Sequence, residues 1–277
     1  MFLATSELMR LFQLDANPKT YVGLARRGLE QRMGKNRPMF ATYFITDRCN
    51  VRCKGCLYYE NLSDELGAKE LDTAGAIMVL RRLAEGGVPV VGLAGGEPFL
   101  RSDLPEVLEA GDAAGLSLSL VSNAMKLYDE GLEAIDRYCA WALYSPHVPS
   151  ELEGKKADGQ YERGWQGFAR MRQALSRPKL ICAVNINKYT VEHLDEIFER
   201  ALEAGADGIK FQPNFVRSVF PSEEQVLQVV ARMKLWKKRH PRIVMGREDY
   251  FDQFSRYFGD RPHIACTATR RFHVGVQ

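Results

Sequence analysis

The sequence contains no long hydrophobic run. No stretch of about 18 apolar residues occurs, and the first ten residues hold no unbroken apolar core of the length that a signal peptide needs. A membrane-spanning helix and a cleaved secretion signal are therefore not expected. We expect a soluble, cytoplasmic protein without a transmembrane segment.

The sequence also lacks a strong excess of charge of either sign. Its 277 residues carry a formal net charge of +3, and 26% of them are charged, so no nucleic-acid partner is expected. Cysteine is scarce, with six residues in the chain. Three of these lie within eight positions, which is typical of a metal site in a reducing compartment and unlike a disulfide framework.

The three clustered cysteines are Cys49, Cys53 and Cys56, with the spacing CxxxCxxC after an apolar run. Three thiols on one short loop can ligate a single metal cluster, whereas a mononuclear tetrahedral zinc usually takes a fourth Cys or His at fixed spacing. Three thiolates on a four-iron cube leave one iron open to a substrate or cofactor. A structural zinc site and three unrelated buried thiols are the alternatives.

Short apolar segments alternate with helical segments along most of the chain. The pattern predicts helices at 6–15, 19–34, 71–85, 103–114, 129–138, 161–175, 191–204 and 223–240, and strands at 39–45, 89–94, 117–122, 140–144, 180–186 and 208–211. This alternation is typical of repeated βαβ units around a parallel sheet that is buried on both faces, an α/β fold. Six units are too few for a closed eight-stranded barrel, and functional residues are expected at the carboxyl ends of the strands.

Glycines and polar residues follow most of the predicted strands. Gly95 and Gly96 allow the backbone to approach a ligand closely, and the carboxylate of Glu97, before Pro98, can pair with an ammonium group. The other candidates at strand ends are Ser122, Asn123, Tyr144, Ser145, His147, Asn187 and Gln212. Each has a plain alternative, because Ser and Asn often cap turns and a histidine beside a proline is typical of a surface loop.

In its cysteine loop the chain resembles the radical S-adenosylmethionine (SAM) superfamily, whose signature is CxxxCxxC just after the first strand of a partial (β/α)6 barrel. The resemblance implies that Cys49, Cys53 and Cys56 hold a [4Fe-4S] cluster and that SAM chelates the open iron. Reductive cleavage of SAM would then yield the 5′-deoxyadenosyl radical. The stretch from Gly95 to Pro98 matches the superfamily's GGEP motif, which contacts the amino group of SAM.

The same resemblance implies roles for the remaining strand ends. Ser122 and Asn123 match the position where relatives place a polar side chain near the ribose or carboxylate of SAM, and Asn187 and Gln212 line the open end of the barrel for SAM or substrate. The S-L-D-G stretch of many relatives is absent after the fourth strand, so Tyr144 or Ser145 is expected to replace its ribose contact.

The residue before the third cysteine is a further departure from the superfamily. Relatives usually have an aromatic residue there, whereas this chain has Gly55. We expect backbone contacts from Gly55 to the adenine, with Tyr58 or Tyr59 covering the ring. Cys139 and Cys182 lie in or beside strands and are expected to be small buried hydrophobic residues.

The ends of the chain form two smaller segments beside the barrel, which we assign to residues 39–240. Residues 1–38 are a basic helical segment, expected to pack across a barrel mouth or to lie on a membrane surface as a peripheral contact. Residues 241–277 resemble the entry to the SPASM or twitch extension of radical SAM maturases, in an incomplete form, because Cys266 is the only cysteine there and a single thiol cannot hold a second cluster.

These features together predict a radical SAM enzyme. Its reaction is hydrogen abstraction from, or radical addition to, a small-molecule, lipid or peptide substrate, with an electron donor such as flavodoxin or ferredoxin. The barrel motifs are similar to the lineage that includes adenosyl-hopane synthase, while the region of Cys266 resembles that of the peptide and cofactor maturases. The alternatives are a non-catalytic iron-sulfur protein and an α/β protein with a structural zinc.

Overall fold

A computed structural model describes residues 18–34, 38–56, 70–152, 157–259 and 273–276. Within them the elements are α1 (Pro18–Arg32), β1 (Phe40–Thr46), α2 (Thr73–Glu85), β2 (Val90–Gly95), α3 (Leu104–Ala113), β3 (Ser117–Ser122), α4 (Asp129–Tyr138), β4 (Cys139–Tyr144), α5 (Ala157–Ala174), β5 (Lys179–Ile186), α6 (Leu194–Glu203), β6 (Gly208–Pro213), α7 (Glu223–Arg239), α8 (Glu248–Phe258) and β7 (His273–Val276). The helix predicted at 6–15 lies outside the described residues.

The strands form one parallel sheet in the order β6-β5-β4-β3-β2-β1-β7. Strands β1 to β6 follow the chain order, because each helix carries the chain over the sheet to the next parallel strand. The predicted α/β partial barrel is confirmed. A seventh strand, β7, comes from the predicted C-terminal extension and pairs with β1 from Phe40 opposite His273 to Tyr43 opposite Val276. At least this part of the predicted extension therefore adds a strand to the barrel sheet.

The two faces of the sheet have different environments. Residues such as Tyr43, Leu118 and Phe211 point outward and are buried under the helices in the main core. The alternate residues point to the inner side of the curved sheet, where several remain partly exposed. The prediction of strands buried on both faces therefore holds for the outer face, while the inner face keeps open surface.

Helix α1 closes the barrel at the amino ends of the strands. The hydroxyl of Thr20 donates a 2.7 Å hydrogen bond to the hydroxyl of Ser117 at the start of β3. The guanidinium of Arg27 donates to the backbone oxygens of Gly86 and Gly87, in the turn before β2. An apolar cluster under the inner face, which we call the floor, comprises Tyr21, Leu24, Phe40, Val90, Ala140, Trp141, Leu143, Ile181 and Met245. Packing across the barrel mouth is thus the observed role of this helix.

Helix α8 was not among the helices predicted from the sequence. The side chains of Phe251 and Phe254 are buried in the core, and their spacing with Phe258 was a helical signal that the analysis passed over. Just before α8, residues 243–245 extend the edge of β6, where the amide of Ile209 donates to the oxygen of Ile243 at 2.8 Å. No helix in the described parts of the chain has both the length and the apolarity to cross a membrane.

Candidate active site at the carboxyl ends of the strands

The turn after β2 packs directly on the backbone that leads into the cysteine loop. The amide of Gly96 donates to the oxygen of Thr46 at 2.8 Å, and the amide of Glu97 donates to the oxygen of Arg48 at 2.7 Å. A Cβ atom on Gly95 would lie 2.3 Å from the oxygen of Thr46, and one on Gly96 would lie 2.1 Å from that of Arg48. The close approach that the sequence predicted toward a ligand is thus made to the cysteine loop itself.

This contact is reinforced by a buried guanidinium. Arg101, which is 3% exposed, donates to the backbone oxygen of Ile45 at 2.9 Å and forms ion pairs with Glu70 and Asp103. Glu70 in turn accepts hydrogen bonds from Thr46 and Arg48, on either side of the start of the loop. The network ties the end of β1 to the turn after β2, and sequence analysis did not identify it.

The carboxylate of Glu97 is fully buried between the ends of β2 and β3. It accepts hydrogen bonds from the hydroxyl of Ser122 at 2.9 Å, the amide of Asn123 at 2.8 Å and the amide of Phe99 at 3.1 Å. Burial raises the pKa of this carboxyl against the opposing effect of these donors. An ionised carboxylate has about four acceptor positions, so one is left for a further donor.

The turn after β3 joins this carboxylate to the first cysteine. The side-chain amide of Asn123 donates to the side chain of Asn50 at 2.9 Å and lies 3.9 Å from the sulfur of Cys49. Ala124 has a φ of +60°, a conformation stabilised by the hydrogen bond from its amide to the hydroxyl of Ser122. Pro98 is buried at the start of a 3-10 turn. The predicted residues of β2 and β3 are thus brought together beside the cysteine loop.

The second half of the cysteine loop is held by the loops after β4 and β6. Cys53 forms an isolated antiparallel bridge with Leu152, and the amide of Lys54 donates to the oxygen of Glu151 at 2.9 Å. Gly55 has a φ of +76°, and a Cβ there would lie 2.4 Å from a methyl carbon of Val219. The side chain of Asn214 donates to the oxygen of Gly55 at 3.2 Å. This packing explains why a glycine replaces the aromatic residue of relatives.

The three thiols differ in exposure and in proton affinity. Cys53 is buried, Cys56 is half-buried and Cys49 keeps exposed surface. The protein packed around the Cys49 thiol nevertheless raises its pKa to about 11, and the nearby carboxylate of Glu97 contributes to this increase. Among the described residues, no group of three or more His, Cys, Asp or Glu side chains is arranged to hold a metal ion.

The donor chemistry of the loop fits an iron-sulfur cluster. Three cysteines outside any disulfide lie on one short loop that neighbouring strand ends anchor on both sides, and such thiols are a soft-ligand set of the kind that iron-sulfur clusters take. The side chain of Asn123 beside the Cys49 sulfur offers a polar contact for a deprotonated thiolate. Cys139 and Cys182 lie away from this loop, and burial raises the pKa of both thiols.

A cluster of polar side chains after β4 was predicted only in part. His147 is half-buried beside Cys53, and its Nδ1 atom lies 3.5 Å from the carboxylate of the buried Glu151. The other oxygen of that carboxylate accepts a 3.0 Å hydrogen bond from the side chain of Asn187. Sequence analysis named His147 and Asn187 but not Glu151, which has no local motif to mark it.

The other predicted site residues occupy varied positions. Tyr144 is on the outer face, where its ring packs against Trp165 and Phe168 of α5, and is not brought to the site. Gln212 is on the inner face and donates to the side chain of Asn185 at 2.7 Å. Ser145 follows β4, and its amide donates to the oxygen of Ser122 at 3.0 Å. Tyr58 and Tyr59, with their predicted adenine contact, and Cys266 lie outside the described residues.

Comparison with known proteins gives related sequences over part of the chain. The chain is 38% identical over 181 residues to a PqqA peptide cyclase of Gluconobacter oxydans, which covers 62% of this chain and 48% of that protein. It is 29% identical over 180 residues to an AdoMet-dependent heme synthase of Methanosarcina barkeri, with 62% and 49% covered. The chain thus spans about half the length of the curated relatives it matches.

Solved structures share the fold at low sequence identity. Streptococcus suis SuiB bound to its precursor peptide SuiA superposes with a TM-score of 0.62 and 13% identity, over 87% of this chain and 60% of that one. SuiB bound to S-adenosylmethionine gives a TM-score of 0.59 with 15% identity, over 86% and 57%. The family model described as "Radical SAM superfamily" matches residues 43–208, more than half of the chain. The chain therefore belongs to the radical SAM superfamily.

Proposed function

We propose that this chain is the barrel of a radical SAM enzyme that modifies a peptide, with a [4Fe-4S] cluster on Cys49, Cys53 and Cys56. When bound, the cluster supplies the electron for reductive cleavage of SAM to a 5′-deoxyadenosyl radical. The observation that carries the proposal is the direct docking of the turn that contains Glu97 onto the cysteine loop. This docking brings the buried carboxylate and the cluster ligands into one site.

The residues around the loop have separate tasks in this proposal. The free acceptor position of Glu97 binds the ammonium group of SAM, which offsets the cost of burying the carboxylate. Asn123 lies beside Cys49 and orients the part of the SAM molecule that is nearest to the end of β3. Gly55 offers its backbone to the adenine, while Asn214 and Val219 keep that turn in place.

The choice of a peptide substrate rests on the relatives. One is a PqqA peptide cyclase, and SuiB has a solved structure with a precursor peptide. The inner face of the sheet is partly exposed above the floor, so a side chain can enter from the carboxyl ends of the strands. A low-potential donor such as flavodoxin or ferredoxin would reduce the cluster, and free thiols of this kind persist in the reducing cytoplasm.

Anaerobic reconstitution tests the proposal. The protein is loaded with iron and sulfide, the iron-sulfur charge-transfer absorbance is recorded, and 5′-deoxyadenosine is measured after addition of SAM and dithionite. We expect both signals in the wild type and in Cys182→Ala, a matched control in β5, and neither in Cys53→Ala. A zinc-loaded protein without the absorbance would support a structural metal site. Absorbance without 5′-deoxyadenosine would support a non-catalytic iron-sulfur protein.

A further inference from the structure

Lys210 lies in the middle of β6 with its side chain on the inner face of the sheet. Its neighbours Ile209 and Phe211 point outward, and Phe211 stacks on Trp236 of α7. Lys210 pairs in register with Ala183 of β5, and the next inward pair toward the cysteine loop is Gln212 with Asn185. The lysine therefore stands between the polar pair above it and the apolar floor below.

No acidic residue in the strands offers a counter-ion to Lys210. Strands β1 to β6 contain neither aspartate nor glutamate. Within the described parts of the chain, the Lys210 ammonium makes no hydrogen bond and no ion pair, yet its nitrogen is not sealed from solvent. In the layer above on the same two strands, the side chains of Asn185 and Gln212 are hydrogen-bonded to each other. Among the described residues, the Lys210 ammonium on the inner face of the sheet therefore has no partner.

An unpaired cation in a largely enclosed position is costly for a fold. Burial lowers the pKa of Lys210, because the surrounding protein disfavours the charged form. An apolar side chain at this position would avoid that cost, as Ile181 does one layer below on β5. A bound anion would remove the cost in the working enzyme.

Among the described residues, the amino ends of the strands below Lys210 are covered. The floor and helix α1 block the barrel at the amino ends of the strands. The remaining approach is from the carboxyl ends, where the cysteine loop and Glu97 lie. Any group that reaches Lys210 from there therefore passes the proposed SAM site. The reacting part of a substrate must also come close to that site.

We propose that Lys210 is a specificity residue that binds a carboxylate of the substrate inside the barrel. The inference rests on the proposed function, because it assigns the interior of the same site to the substrate. The carboxylate comes from an acidic side chain of a peptide or from a free organic acid. The bound carboxylate holds the substrate between the floor and the proposed SAM site. The distance between the carboxylate and the other substrate atoms then decides which substrate atom faces the radical.

The first test measures the protection of Lys210 from chemical modification. The reconstituted protein with SAM is treated with formaldehyde and cyanoborohydride, and methylation of Lys210 is followed by peptide mass spectrometry against the exposed Lys238 of α7. Acetyl-glutamate amide is expected to slow methylation of Lys210 about tenfold more than acetyl-glutamine amide, since a charge-assisted hydrogen bond contributes roughly that factor. Lys238 is expected to react at the same rate with both probes.

Further arms identify the anion. Free glutarate is compared with acetyl-glutamate amide: stronger protection by the amide indicates a peptide side chain, and stronger protection by glutarate indicates a free acid. Equal rates with the glutamate and glutamine probes would overturn the proposal. Protection by inorganic phosphate alone, or full protection by SAM before any probe is added, would also overturn it, because the bound anion would then be a phosphate or the SAM carboxylate.

Variants provide a second measurement. Calorimetry is expected to show preference for the glutamate probe in the wild type and in Lys210→Arg, and loss of that preference in Lys210→Met, with thermal melting used to verify folding. A preference that survives in Lys210→Met contradicts the assignment. Formation of 5′-deoxyadenosine by the wild type in the same preparation tests the proposed function separately, because probe binding does not require turnover.

Discussion

At the scale of single residues, Glu97 connects the structure to the proposed chemistry. Its carboxylate is buried and accepts three hydrogen bonds from β3 and from its own turn. Burial raises the pKa of this carboxyl, and the three donors offset that effect only in part. The position of the carboxylate is therefore set before any ligand arrives, and an ammonium group at its remaining acceptor position would stabilise the ionised form.

Glu97→Gln is expected to weaken SAM binding by about 10- to 100-fold, since the substitution removes a charge-assisted interaction of ~1.5–3 kcal/mol and turns an amide NH2 toward existing donors. The dissociation constant of SAM, measured by equilibrium dialysis on the reconstituted protein, tests this. Glu130→Gln, at an exposed position on α4, is the matched control and should bind SAM as the wild type does. Wild-type affinity in Glu97→Gln would remove Glu97 from the proposed site.

At the scale of elements, the glycines after β2 matter because two backbones meet there. Gly96→Ala would place a Cβ 2.1 Å from the oxygen of Arg48, so the turn must move off the cysteine loop. We expect reconstituted iron per chain to fall by more than half, because the loop loses its anchor, and the free energy of unfolding to fall by ~2–4 kcal/mol.

The control for this substitution is Gly28→Ala in α1, where an added Cβ meets no atom within 4 Å. It should leave the iron content unchanged and add ~0.5–1 kcal/mol to the free energy of unfolding, since alanine is the better helix residue. Denaturant titration and iron assay measure both effects. Normal iron content in Gly96→Ala would show that the contact between the turn and the loop is not needed to form the cluster site.

Asp136 of α4 provides a pH-dependent contact between elements. Burial alone would raise the pKa of its carboxyl, but hydrogen bonds from the amides of Arg177 and Ser176 outweigh it and hold the pKa below the ordinary value. The unfolded chain then binds the proton more readily, so this contribution is present above pH ~4 and is lost as the pH falls below that value.

Asp136→Asn should therefore lower the free energy of unfolding by ~1 kcal/mol at neutral pH and by less at pH ~3. Urea titrations across this pH range measure the difference. Asp129→Asn, at an exposed position on the same helix, serves as the control, and its loss of an exposed ion pair with Arg170 should cost less than ~1 kcal/mol. An equal loss for Asp136→Asn at both pH values would contradict the assignment.

At the scale of the whole molecule, the packing of α1 under the sheet joins the N-terminal segment to the barrel. Thr20→Val should lower the free energy of unfolding by ~1–3 kcal/mol, because it leaves the buried hydroxyl of Ser117 without its partner. The double variant Thr20→Val/Ser117→Ala should lose less than the sum of the two single variants. Thermal and denaturant unfolding test this, and strict additivity would mean that the two hydroxyls do not stabilise each other.

The sequence alone determined the order of the elements and predicted the ligand set. Two motifs are local in the sequence: the spacing of Cys49, Cys53 and Cys56, and the stretch from Gly95 to Pro98. Because the residues of each motif are close together in the chain, their types and spacing are enough to predict the group they bind. The repeat of apolar segments likewise determined the parallel sheet. Helix α8 also has a local signal, because its aromatic residues recur at helical spacing, so it could have been predicted from the sequence.

The tertiary structure decided which distant residues meet. The pairing of Glu151 with Asn187, the placement of Val219 against Gly55 and the contact of β7 with β1 each join segments far apart in the chain. No local pattern encodes them, because they depend on the register of the strands and on the packing of the loops above them. The same register turns Tyr144 outward to α5 and Lys210 inward, so the identity of each residue was visible in the sequence but its environment was not.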